Sequence, residues 1–257
     1  NSGIGKTEIL NRLKNELAQQ NTAIFEINLN PTMQNVQLAP IISAIRKQLK
    51  HIYMEGTYRV DYIKALFEKE NAVFYDEIFQ LIPELEWFIS DQMLQSNIKI
   101  QRYPSEVNTF FYRTIHYLIS VLIKTNGSFI IMIDSAHLID SSSLQCLKTM
   151  YEELTSLHFI ITYKEDNERV RELRCFTTDY EQIVLNPLTM DEVYDWLAYS
   201  LKEQSTNIRT LASLLFDLTK GNPLFIRELF QTFMQMNLLY YSLQTECWKI
   251  DLQKNMD

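Results

Sequence analysis

The chain has 257 residues, 46% of them hydrophobic and 22% charged, a globular composition with room for one large domain or two small ones. Its 24 basic and 32 acidic side chains leave a net charge of −8, which argues against a nucleic-acid surface, since phosphate binding needs a clustered basic field. No apolar stretch approaches the ~18–20 residues of a membrane span, and the opening residues do not read as a signal peptide. Three cysteines, Cys146, Cys175 and Cys247, and four histidines complete no metal pattern, and the odd, scattered cysteine count fits a reducing, cytoplasmic setting.

The chain opens Asn1-Ser2-Gly3-Ile4-Gly5-Lys6-Thr7-Glu8. Gly5-Lys6-Thr7 supplies the second half of the phosphate-loop pattern G-x-x-x-x-G-K-[ST], whose first glycine would fall one position before Asn1. The sequence is therefore expected to begin inside the loop. Glycines let successive backbone N–H groups turn toward an anion, and the helix that follows adds its dipole. Lys6 would reach the β- and γ-phosphates and the Thr7 hydroxyl would ligate Mg²⁺. The plainer alternative is a glycine-bearing helix start, because Ile9, Leu10, Leu13 and Leu17 give an amphipathic face to a helix over 7–20. With five glycines in the chain, about 2% against a usual ~7%, each is expected to serve a backbone need.

Thr22–Leu29 alternates and is rich in Ile and Phe, so it reads as a strand ended by Asn30-Pro31. From 36 to 125 the apolar spacing is helical, punctuated by Pro83 and Pro104, with a long helix over Asn108–Lys124. Ser128–Ile133 is a continuous apolar run closed by Asp134, the pattern of a strand buried on both faces. A helix from about Ser142 to Leu157 precedes a strand at His158–Tyr163, and a shorter strand is expected at Glu181–Leu185. Helices at 189–204, 207–219 and 222–237 follow, then a hairpin over Leu238–Ile250. Strands alternating with helices predict an α/β parallel sheet with helices on both faces, and the all-helical stretch after Pro187 a second subdomain.

An acidic residue at the C-terminal end of a buried strand is where doubly wound sheets place ligand chemistry, and Asp134 stands there as a candidate Mg²⁺ ligand. Alone it would read better as a helix cap or a loop carboxylate. Together with Gly5-Lys6-Thr7 it points to a phosphate site.

Phe129–Asp140 (FIIMIDSAHLID) resembles the Walker B segment of the STAND-type branch of the AAA+ ATPases, commonly hydrophobic-D-D-x-x-W-x-D. Phe159–Glu168 (FIITYKEDNE) resembles that family's sensor strand. Leu185–Thr189 resembles the entry into its helical lid, and Leu218–Phe230 (LTKGNPLFIRELF) its Gly-x-Pro lid motif. Asn237–Leu252 is similar to the segment after the lid in ATPase modules of large signalling proteins, among them multidomain serine/threonine or histidine kinases and soluble adenylyl cyclases. The resemblance covers nearly the whole chain and is weakest over 30–105, where Leu81-Ile82-Pro83-Glu84-Leu85 stands out.

The resemblance implies a P-loop nucleotide-binding domain over 1–187 with a helical insertion at about 36–125, a lid over 188–237, and the start of a further segment at 238–257. It implies ATP and Mg²⁺ as cofactors, Gly3, Ile4, Gly5, Lys6, Thr7 and Glu8 around the phosphates, Thr7 and Asp134 at the metal, and Gly221, Asn222 and Pro223 against the base. Three positions depart from the family. Ser135 stands where a second acidic residue would orient the attacking water, and a neutral hydroxyl takes no proton at pH 7. Lys164, the candidate sensor, replaces an arginine and loses its bidentate fork. Leu138 replaces a common tryptophan.

Slow or absent hydrolysis is therefore expected, unless Glu165, Asp166 or another chain supplies a carboxylate. His137 beside Ser135 reads as a loop histidine. The expected function is an ATP-binding regulatory switch acting on adjacent effector domains of kinase or cyclase type, with possible self-association on nucleotide binding and no kinase or cyclase catalysis of its own. The alternatives are a hydrolysing AAA+ ATPase and a degenerate scaffold. In the family the strand before the phosphate loop lies mid-sheet; without it the segment near 181–185 would lose its neighbour. Residues 1–257 alone are then expected to fold poorly, and the natural protein to continue in both directions.

Overall fold

The computed structural model describes residues 2–20, 22–29, 37–70, 72, 74, 76–90, 93, 104–126, 129–154, 157–164, 168–175 and 180–250. By their contacts they divide into two compact units, one of residues 1–9 with 181–257 and the other of residues 10–180. Each has its own apolar core.

The larger unit is α/β. Strands β1 (Ala23–Asn28), β2 (Phe129–Asp134) and β3 (Leu157–Ile161) form a parallel sheet in the order β1-β2-β3. In this register Phe25, Ile131 and Phe159 stand side by side, as do Ile27, Ile133 and Ile161. One face of the sheet is thus a continuous apolar layer, and Phe25, Ile27, Phe129, Ile131 and Ile133 are fully buried in it. Met132 is also buried, as expected for a central strand covered on both sides, while Ile130 is half-buried.

Helix α1 runs from Lys6 to Gln19 and precedes β1. The stretch between β1 and β2 carries α2 (Ala39–Glu55), α3 (Thr57–Lys69), α4 (Asp76–Leu81), a 3₁₀ turn (Pro83–Phe88) and α5 (Pro104–Asn126). This stretch is integral to the core: Ile41, Ile45, Leu49 and Ile52 of α2 and Ile63 and Phe67 of α3 join the same cluster as the sheet. Their spacing of three and four residues forms the stripe that a helix must bury. Glu84, 3% exposed, pins the 3₁₀ turn to α2: Arg46 donates from Nε and Nη2 to its carboxylate at 2.9–3.1 Å, and Lys50 Nζ lies 3.1 Å away.

After β2 come a 3₁₀ turn (Ala136–Leu138), α6 (Ser141–Glu153) and, beyond β3, α7 (Glu168–Cys175). Helix α6 ends earlier than its apolar pattern suggests, because Leu154 leaves the helix and Leu157 already belongs to β3. Helix α7 is an element the sequence reading did not include; among its described side chains Val170 and Leu173 are the buried ones.

The smaller unit packs α8 (Met190–Leu201), α9 (Thr206–Thr219) and α10 (Pro223–Gln235) around Val193, Leu197, Leu211, Leu215 and Ile226. A hairpin of β4 (Leu239–Ser242) and β5 (Cys247–Ile250) joins it, tied by Trp248 N donating to Glu203 Oε2 at 2.8 Å. A capping box of Thr189 and Glu192 starts α8, and Ser205 caps α9.

The strand expected at Glu181–Leu185 does not form. Residues 181–189 carry no regular structure, and Ile183 and Val184 are 78% and 66% exposed. Ile-Val-Leu has the propensity for a strand, but a strand exists through its ladder, and no described strand pairs with this segment. Among the described residues no helix is long and apolar enough to cross a membrane.

Candidate functional site

In the smaller unit, residues 2–5 form a turn that leads directly into α1. Gly3 and Gly5 have φ of +79° and +96°, a region that side chains other than glycine's rarely enter. Lys6 begins the helix and is half-buried, while Thr7 and Glu8 are exposed on its first turn. Ile9 N donates to Gly5 O at 3.0 Å, so the first helical bond closes on the second glycine.

The Gly221-Asn222-Pro223 segment is built for a sharp reversal between α9 and α10. Lys220 takes the left-handed conformation that ends α9, and Pro223 supplies the preset φ of a first helical position. Asn222 Oδ1 caps α10 by accepting from Leu224 N at 3.1 Å and Phe225 N at 3.5 Å. Gly221 has φ +75°, and a Cβ there would lie 2.0 Å from Leu188 O; its own carbonyl accepts from Leu188 N at 2.8 Å. Glycine is the one residue this crossing admits.

This reversal meets the glycine turn. Asn222 Nδ2 donates to Ser2 O at 2.8 Å and Leu224 N to Gly3 O at 3.2 Å. A Cβ on Gly3 would come within 2.7 Å of Asn222 Oδ1 and 2.9 Å of Leu224 Cβ. The two glycine motifs that the sequence singles out at opposite ends of the chain are therefore neighbours.

In the larger unit, Asp134 ends β2 opposite Asn28 of β1, with its side chain half-buried. Thr162, one residue past β3, organises this end of the sheet. Its N–H donates to Ile133 O at 2.9 Å and its carbonyl accepts from Ala136 N at 2.8 Å. Its hydroxyl donates to Asp134 Oδ1 at 2.5 Å and accepts from Ser135 N at 3.1 Å. Ser135, in the left-handed region at φ 61°, turns the chain away from the strand. Asp140, the last residue of the Walker-like segment, is buried and structural: it caps α6 through Ser143 N at 2.9 Å and accepts from Leu38 N at 3.4 Å.

Lys164 follows β3 and is exposed; Arg174 Nη2 donates to the neighbouring Tyr163 hydroxyl at 2.6 Å. Glu165 and Asp166 lie outside the described residues. Thr162 escaped the sequence reading, although a first hydroxyl after a buried apolar run beside an acid-ended strand was the available signal. Thr7 belongs to the smaller unit and Asp134 to the larger one.

No protein-family model matches the chain, and no solved structure matches it. Among curated proteins it is similar to the peroxide stress-activated histidine kinase mak3 of Schizosaccharomyces pombe, 19% identical over 292 aligned positions. The alignment covers 97% of this chain and 12% of that kinase, so the chain matches a small part of its relative.

Proposed function

We propose that this chain is an ATP-binding regulatory module of a signalling protein, a switch whose phosphate-binding turn is Gly3–Thr7. The observation that carries the reading is the Gly-Ile-Gly-Lys-Thr segment with both glycines at positive φ, opening directly into a 14-residue helix. Such a turn presents backbone N–H groups and a helix N-terminus to an anion, and Lys6 adds a positive charge beside them. That donor set suits a polyphosphate. Thr7 and Asp134 each offer hard oxygen of the kind Mg²⁺ takes, one a hydroxyl and the other a carboxylate, and Thr162 holds that carboxylate in one orientation. Bound Mg²⁺ would offset phosphate charge and orient the terminal phosphoryl group.

Hydrolysis is slow in this reading. Ser135 brings no general base next to Asp134, and Lys164 offers a point charge in place of a guanidinium fork. The similarity to a histidine kinase supports a signalling setting; effector domains of kinase or cyclase type as neighbours and the cytoplasm as the compartment complete the proposal. A switch requires that ATP bind one arrangement of the protein more tightly than another, and self-association on binding is one route to such a difference.

The test is titration of the natural protein with labelled ATP and Mg²⁺, beside Lys6→Ala, with phosphate release followed in the same samples. Removing a charge-assisted contact is expected to weaken binding by roughly 10- to 100-fold. Binding with negligible release supports the switch; steady turnover replaces it with an active ATPase; absence of binding leaves a scaffold.

A further inference from the structure

The contact between the two glycine motifs has a directional consequence for the backbone of the turn. A trans peptide unit points its C=O and N–H in opposite directions. The carbonyl of Ser2 shares a peptide plane with the N–H of Gly3, and the carbonyl of Gly3 with the N–H of Ile4; the chain contains no cis peptide among its described residues. Asn222 Nδ2 holds the first carbonyl at 2.8 Å and Leu224 N the second at 3.2 Å. Both carbonyls are thereby drawn toward the start of α10, and the amides of Gly3 and Ile4 are aimed the opposite way.

We infer that Asn222 is a positioning residue for the phosphate-binding turn: it orients the Gly3 amide, beside the Ile4 amide that Leu224 N sets, toward a bound polyphosphate instead of contacting the nucleotide's base. This deepens, and rests on, the nucleotide reading above. Three features support a dedicated arrangement. The Asn222 amide is used at both ends, Oδ1 on the α10 backbone and Nδ2 on the turn. Gly3 leaves no room for a Cβ against Asn222 Oδ1 and Leu224, so the close approach itself requires glycine there. The reversal that carries Asn222 is locked in turn by the Leu188–Gly221 crossing, which no side chain at 221 would permit. By reciprocity, whatever tightens the turn around an anion also tightens the hold of α10 on it, linking the phosphate site to the start of a lid helix.

The experiment compares Asn222→Ser with the unaltered natural protein, using ATP and inorganic tripolyphosphate, each with Mg²⁺. Serine keeps a neutral oxygen to cap α10 and adds no charge, but is too short to reach Ser2 O as a donor. An unchanged melting temperature checks that the cap survives. The inference expects both ligands to bind about three- to tenfold more weakly, the size of one lost neutral hydrogen bond. A loss confined to ATP would overturn it in favour of a base contact. Equal affinities for variant and parent would also overturn it, and leave the nucleotide reading standing. Failure of the unaltered protein to bind either ligand removes the nucleotide reading, and this inference with it.

Discussion

Ser135 occupies a conformation that few side chains accept, and that constrains how the site would be repaired. At φ 61° and ψ 41° it lies in the left-handed region, where Asp and Asn are the best tolerated residues after glycine. Ser135→Asp would therefore place a carboxylate next to Asp134 without forcing the turn. If the protein binds ATP and hydrolyses it slowly for want of a base, as proposed, phosphate release should rise by roughly 100-fold in this variant, measured as single-turnover release at saturating ATP. An unchanged rate would show that the serine is not the cause. At this scale Asp134 and Asp140 divide in role. The first ends a strand and is held by Thr162, whereas the second is consumed in capping α6 and anchoring Leu38.

Among the elements, the 3₁₀ turn at 83–88 depends on charge as well as on packing. Burial raises the Glu84 pKa, but the hydrogen bonds from Arg46 and Lys50 outweigh it and hold the group below its ordinary 4.5. A carboxylate whose folded pKa is depressed contributes stability above the unfolded value and loses it as the pH falls through the folded one. Glu84→Gln should thus cost about 1–2 kcal/mol at pH 7, less than a fully buried pair because Arg46 is 41% exposed. The deficit should shrink below about pH 4.5, where the parent loses the same interaction. Urea unfolding of both proteins at pH 7 and in the acid range measures it. Glu26 on β1 behaves alike: burial opposes its ionisation, yet Lys14 and Lys47 bring its pKa down to about 2.

For the molecule as a whole, the nucleotide reading makes a thermodynamic demand that needs no assumption about catalysis. A ligand that binds the folded state alone stabilises it by about 2.7 kcal/mol at 100 times its Kd. Mg²⁺ with ATP should raise the melting temperature of the natural protein by several degrees and that of Lys6→Ala by about half as much or less. A shift of equal size in the variant would mean that ATP is held somewhere other than the Gly3–Thr7 turn.

Much of the fold was legible in the order of residues. The apolar run Phe129–Ile133 and its closing Asp134 marked the central strand, and the three- and four-residue spacing of Ile41, Ile45 and Leu49 marked α2. These signals are local, because a strand or helix shows its buried face in its own periodicity. Gly5-Lys6-Thr7 and Gly221-Asn222-Pro223 were likewise visible as candidates. Tertiary structure decided what depends on partners distant in sequence. Glu181–Leu185 had the composition of a strand and forms none, since pairing is not a property of one segment. Thr162 gained its role only when β3 lay beside β2, and Asn222 met Ser2 across 220 residues of chain. A hydrogen bond between remote backbone and side-chain groups leaves no periodic trace, and so it had to be seen in three dimensions.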